Sequence, residues 1–191
     1  MRAYLRAKDH NRPAFMPHAF AADAVLTMVV KTDTIAFPPV SRGLTAITDT
    51  LVTEFGRTYE DVFTFYCSQP PSGEIQSSFT CDWLVGMREK ATGAVRVGAG
   101  SYDWDFAADN GPAAPAAIRS QERRCRATSL VITVDTMVGL PAETTPAIFT
   151  WLMALPYPFC SVEQMLADAP TVKSDALAPV LAFLSRSHSR L

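Results

Sequence analysis

The chain has 191 residues, 48% hydrophobic and 19% charged, enough for one domain with a sizeable core and an argument against wholesale disorder. A formal net charge of -2 gives no general reason to expect nucleic acid or an anionic membrane as partner, and no apolar run approaches the roughly 20 residues needed to cross a bilayer. The first residues, Met1-Arg2-Ala3-Tyr4-Leu5-Arg6, carry charge without a signal-type apolar stretch, so a cytoplasmic location is the expectation.

Residues 2–10 read as a short helix with Tyr4, Leu5 and Ala7 as apolar contacts. Asn11-Arg12-Pro13 then marks a second helical start, with Asn11 as N-cap and Pro13 in the first turn, followed by Phe15, Met16, Ala19 and Phe20. Residues 23–30 predict a strand, and 35–37 a second short one stopped by Pro38-Pro39. Gly43 opens the clearest helix: Leu44, Ile47, Leu51 and Phe55 recur at helical spacing, and Gly56 is its expected stop. From Val62 the period changes to two, until Pro70-Pro71-Ser72-Gly73 breaks the strand.

Two aromatic runs, 79–88 and 96–106, flank the turn around Glu89-Lys90-Ala91-Thr92-Gly93 and read as a hairpin. A four-residue loop over 90–93 pairs Glu89 with Ala94. One face then carries Phe79, Cys81, Trp83, Val85 and Met87 with Gly98, Gly100, Tyr102, Trp104 and Phe106. The other carries Thr80, Asp82, Leu84 and Arg88 with Val95, Val97, Ser101, Asp103 and Asp105. A slip by one residue would mix the acids with the aromatic set, so this register is preferred. The connection 107–126 ends in a basic run (Arg119, Arg123, Arg124, Arg126) that reads as a solvated stretch. Residues 130–138 predict a last strand, and beyond Pro141 the pattern turns helical: 146–155, a capped start at Ser161 with Gln164, and 175–187 behind Ser174.

Three motifs, in this order and spacing, carry a resemblance. Phe20-Ala21-Ala22-Asp23-Ala24 enters the first strand, Gly43-Leu44-Thr45-Ala46-Ile47 opens a helix, and Gly100-Ser101-Tyr102-Asp103-Trp104-Asp105-Phe106 lies on a late strand. Together they resemble the nuclear transport factor 2-like superfamily, in its SnoaL-like, ketosteroid isomerase-like branch. The resemblance covers residues 1–138 and implies an α+β fold. In it a curved antiparallel sheet forms a half-barrel cone, with N-terminal helices over its concave face and a pocket between them. Residues 139–191 would be a C-terminal helical extension packed on or beside this domain, and a homodimer through the sheet is expected. Two departures stand out. The strand Phe63-Thr64-Phe65-Tyr66-Cys67-Ser68 lacks the histidine many relatives carry, and Trp104 stands where an aspartate is frequent.

The resemblance places Asp9 like an acid at the end of the first helix, and Asp9 with His10 reads as a general acid–base pair at a pocket mouth. Tyr102 reads as a donor to a ligand carbonyl, and Phe15, Phe20, Cys81, Trp83 and Trp104 as ligand-contacting walls. The outward-facing Asp82, Asp103 and Asp105 are read as solvated or as part of a dimer contact. Cys67, Cys81, Cys125 and Cys160 show no paired spacing and are expected reduced, with no metal and no cofactor. The expected function is a protein binding a small apolar or aromatic molecule, or a cofactor-independent isomerase, dehydratase or cyclase acting by proton transfer. The alternative is a non-catalytic dimeric interaction module or an accessory subunit of a larger enzyme.

Overall fold

The computed structural model describes residues 1–71, 76–108, 125–167, 169 and 174–188, without the side chains of 174, 187 and 188. Most of the connection after the hairpin, with Arg119, Arg123 and Arg124, lies outside the described residues, as does the Ser72-Gly73 break.

Six strands form one sheet: β1 (Phe20–Val30), β2 (Val40–Arg42), β3 (Tyr59–Tyr66), β4 (Ser78–Glu89), β5 (Val95–Ala108) and β6 (Cys125–Leu140), in the order β2-β1-β6-β5-β4-β3. Every pairing is antiparallel except β1 with β6, so the sheet is mixed where an antiparallel one was expected. Register shifts at Phe20/Val25, Glu60/Phe63, Ala99/Gly100 and Asp105/Phe106 mark the bulges that bend the strands. The result is a curved, unclosed sheet with helices on both faces.

The hairpin register is the expected one. Glu89 N–H donates to the Ala94 carbonyl at 2.8 Å, Gly93 closes the turn at φ 69°, and Trp83 pairs with Gly100 and Cys81 with Tyr102. The indole of Trp83 lies across Gly100, where a Cβ would come within 2.8 Å of the ring and 1.9 Å of the Thr133 carbonyl oxygen. Only glycine allows that approach, beside the register shift between Ala99 and Gly100.

Over the concave face lie α1 (Arg2–Asp9), a 3-10 segment (Pro13–His18) and a bent helix. That helix joins α2 (Leu44–Thr48) to α3 (Glu54–Thr58) through a π-helical turn, Asp49–Thr53. Over the opposite face lie α4 (Thr145–Ala154), α5 (Val162–Ala167) and α6 (Ser174–His188). Ser161 and Gln164 form the expected capping box on α5, with Gln164 N–H donating to Ser161 Oγ at 3.3 Å and Ser161 N–H to Gln164 Oε1 at 3.4 Å.

Several local expectations change. Residues 35–37 are not a strand. The segment is pinned irregularly where Thr34 Oγ1 donates to the Met137 carbonyl and Arg96 donates to the Thr34 carbonyl, and the short strand forms after the two prolines instead. Asn11 is not an N-cap: it sits at φ 48° just past α1, and Arg12 precedes the 3-10 segment without a side-chain cap bond. Gly56 does not stop its helix, which runs on to Thr58. Its missing side chain makes room for that of Asn11, which an added Cβ would meet at 2.6 Å. The outward face of the hairpin is acidic only towards one end. Leu84, Val95, Val97 and Ala99 on that same face are buried beneath α4–α6.

Candidate functional site

A cavity of ≈ 50 Å³ lies between the concave face and its covering elements. The sheet contributes Trp83, Val85 and Met87 from β4 and Tyr102 from β5, with Ile132, Val134 and Met137 from β6. Helix α1 contributes Tyr4 and Lys8, one turn apart, and the bent helix contributes Leu51 and Phe55. Ile35 and Phe37 close it from the irregular segment after β1. These two and Phe55 also line an outer groove of ≈ 430 Å³ beside the π-helical turn, so the groove and the cavity share one wall.

The polar groups at the cavity are few. Lys8 is only 7% exposed, and its Nζ lies 2.9 Å from Asp9 Oδ1 and 2.8 Å from Thr64 Oγ1. The ammonium also stands 4.9 Å from the centroid of the Phe55 ring. Asp9 in turn accepts from the Thr64 backbone N–H at 2.8 Å, from Thr64 Oγ1 at 2.9 Å and from the Tyr157 hydroxyl at 3.2 Å. Every donor around this carboxylate is fixed, which is what a buried charge requires. The hydroxyls of Tyr4 and Tyr102 are hydrogen-bonded to each other, and burial raises both phenols above their ordinary range, so they remain neutral. Trp83 Nε1 is buried and has no hydrogen-bond partner.

The sequence-expected residues fall into three places. Tyr102 and Trp83 line the cavity. Phe20 and Trp104 pack with Tyr4 in the core beside it, Trp104 stacked on Phe106, and Cys81 is buried in the same cluster. Burial and the neighbouring Asp82 and Asp103 push the Cys81 thiol up to about 12, so it serves as an apolar filler. Phe15 lies half-buried under the Arg6 guanidinium, 4.3 Å from its centroid. Asp9 and His10 share a surface pocket of ≈ 210 Å³, which Lys8 and Phe55 separate from the aromatic cavity. His10 is exposed, and no hydrogen bond joins it to Asp9. Asp82 is half-buried on the outward face, where Asp103 and Asp105 are exposed and Thr80 Oγ1 donates to Asp103 at 2.8 Å.

Sequence reasoning passed over Lys8, Thr64 and Tyr157. Lys8 had a signal: it falls one turn after Tyr4, on the stripe that α1 buries. Tyr157 had none, because only the folded chain brings it to Asp9. All four cysteines are thiols, and no metal-binding group of His, Cys, Asp or Glu occurs among the described residues. No described helix is long and apolar enough to cross a membrane.

No family model and no curated protein matches this sequence. Solved structures do match. A nuclear transport factor 2-like superfamily protein from Salmonella enterica superposes with TM-score 0.52 at 13% identity, over 71% of this chain and 85% of that one. A type 2 hexachlorocyclohexane dehydrochlorinase gives 0.53 at 11% identity, over 73% and 82%. The type 3 dehydrochlorinase from Novosphingobium barchaimii gives 0.51 at 11%, over 73% and 84%. At such identities the likeness is one of fold: the chain has the nuclear transport factor 2-like fold.

Proposed function

We propose that the protein binds a small, largely apolar or aromatic molecule between α1, the bent helix and the concave face of the sheet. The observation carrying this reading is the cavity wall: aromatic and aliphatic side chains around a few polar groups, the usual make-up of a small-molecule site. One water centre needs about 10–15 Å³, so the inner cavity accepts a small part of a molecule. The remainder would lie in the outer groove past Ile35, Phe37 and Phe55.

Among reactions, cofactor-independent proton transfer (isomerisation, dehydration or cyclisation) is the class these groups serve. Lys8 and Tyr102 would stabilise negative charge on a ligand oxygen. Asp9 enters this reading as the counter-ion that fixes Lys8, because its oxygens are already engaged by Lys8, Thr64 and Tyr157. The test is a thermal-shift screen of small aromatic and alicyclic compounds, repeated on Val134→Phe, which fills the cavity. A ligand at a hundred times its Kd should raise Tm by about 5 to 10 °C in the native chain. The variant should lose that shift. Equal shifts in both proteins, or none in either, reject the site.

A further inference from the structure

Away from the cavity, we infer that the exposed side of α1, with the 3-10 segment beside it, is a docking surface for an acidic segment of a partner protein. The amphipathic pattern of α1 sets its geometry. Tyr4, Leu5, Ala7, Lys8 and Asp9 are buried, which leaves Arg2 and Arg6 on the exposed side. One turn separates these two, so their side chains start about 5–6 Å apart. Arg12, also exposed, follows where α1 meets the 3-10 segment.

Two of the guanidinium groups are already held by aromatic rings. That of Arg2 stands 5.1 Å from the centroid of Phe159, and that of Arg6 stands 4.3 Å from the centroid of Phe15. The rings are themselves placed, Phe159 stacked on Tyr66 at 5.4 Å and Phe15 beside His18 at 6.2 Å. A guanidinium held against a ring still has N–H donors to give, and its fork matches a carboxylate. Ordering the two side chains beforehand lowers the entropy lost on docking.

Charge names the partner. Arg57, Arg88 and Arg96 are each ion-paired, whereas Arg2, Arg6 and Arg12 make no ion pair with a described carboxylate. The 3-10 segment and residues 156–160, which supply the two rings, contain no acidic residue. Asp9, the one acid of α1, is turned inward on Lys8. The surface is therefore positive on a chain whose formal net charge is -2. Arginine beside half-buried aromatic rings is the make-up enriched at protein–protein interfaces. A nucleic acid, with one charge per about 1.7 Å of duplex, would run past two or three arginines onto the net-negative remainder. A peptide with two carboxylates one helical turn apart matches the spacing of Arg2 and Arg6 and ends there.

The experiment is fluorescence anisotropy on the full chain with two labelled helical peptides built on one leucine framework. The first carries glutamates one turn apart, and the second has glutamine at the same positions. A labelled single-stranded oligothymidylate is the third probe. The glutamate peptide should bind about tenfold more tightly than the glutamine peptide, and more tightly than the oligonucleotide. Arg6→Glu should lower that affinity about tenfold with Tm unchanged, and Arg2→Glu, a turn away, should do the same. Arg6→Lys keeps the charge but not the fork, so it should lose about threefold. The inference is overturned by any of four results: no saturable binding of the glutamate peptide, equal binding of the two peptides, tighter binding of the oligonucleotide, or undiminished binding by both glutamate variants. None of these touches the cavity, so the small-molecule reading stands or falls separately.

Discussion

The two faces of the sheet bury comparable sets of large apolar side chains but treat polar groups differently. Beneath α4–α6, Phe65, Leu84, Val95, Val97 and Ala99 meet Ile148, Trp151, Leu152, Leu177, Val180 and Leu184. Trp151 Nε1, a buried donor there, is satisfied by the Met165 carbonyl at 3.2 Å. On the concave side the fold buries a lysine and an aspartate, encloses a cavity, and leaves the Trp83 N–H unmatched. One face spends its burial on cohesion, while the other keeps costly polar groups beside open space. That contrast locates the candidate site more firmly than any single residue does.

The comparison can be broken in several ways. The largest effect should come from ending the chain after Leu140, which uncovers Leu84, Val95, Val97 and Ala99. Light scattering should then find dimers or aggregates, whereas the intact chain, with this patch covered, should run as a single copy. A dimer of the intact chain would show that the helices do not replace a partner at this face.

Next is Asp9→Ala, which strands the Lys8 charge and should cost about 3–5 kcal/mol in urea unfolding. A loss below 1 kcal/mol, on the order of an exposed pair, would mean the pair is not buried in solution. On the opposite face Leu152→Ala should cost about 2–5 kcal/mol and leave ligand affinity unchanged. A change in affinity there would erase the division between the faces.

Alkaline pH sharpens the same contrast. Tyr4, Tyr66 and Tyr102 are fully buried on the concave side, and burial raises each phenol above its ordinary value. The folded state then holds protons the unfolded chain releases above about pH 10, so their contribution is complete below that pH and is lost as pH rises beyond it. Phenolate absorbance should therefore appear together with loss of tertiary circular dichroism, not ahead of it. The smallest effect belongs to Tyr157→Phe, about 1 kcal/mol for one hydrogen bond to Asp9.

The sequence exposed what depends on short-range pattern. The hairpin register followed from keeping acids away from aromatics, the bent helix from its apolar spacing, and the α5 start from Ser161 and Gln164. Hidden features depend on contacts far apart in the chain. The parallel pairing of β1 with β6, the burial of Leu84 and Val97 under the last helices, and the clamp on Asp9 join residues that no local period relates. Asp9 and His10 illustrate the limit: adjacent in sequence, they point one side chain into the protein and the other to solvent.

The stretch around Tyr157 has a consequence for how the molecule comes apart. It runs along the edge of β3, where Tyr66 N–H donates to the Pro158 carbonyl at 2.8 Å and Cys160 N–H to the Tyr66 carbonyl at 3.0 Å. Phe159 stacks on Tyr66, while the Tyr157 ring meets Phe65 from the opposite face and its hydroxyl reaches Asp9. A segment that laces both layers at one strand edge couples their melting. Calorimetry should record one cooperative transition rather than a helical cap peeling away before the cone.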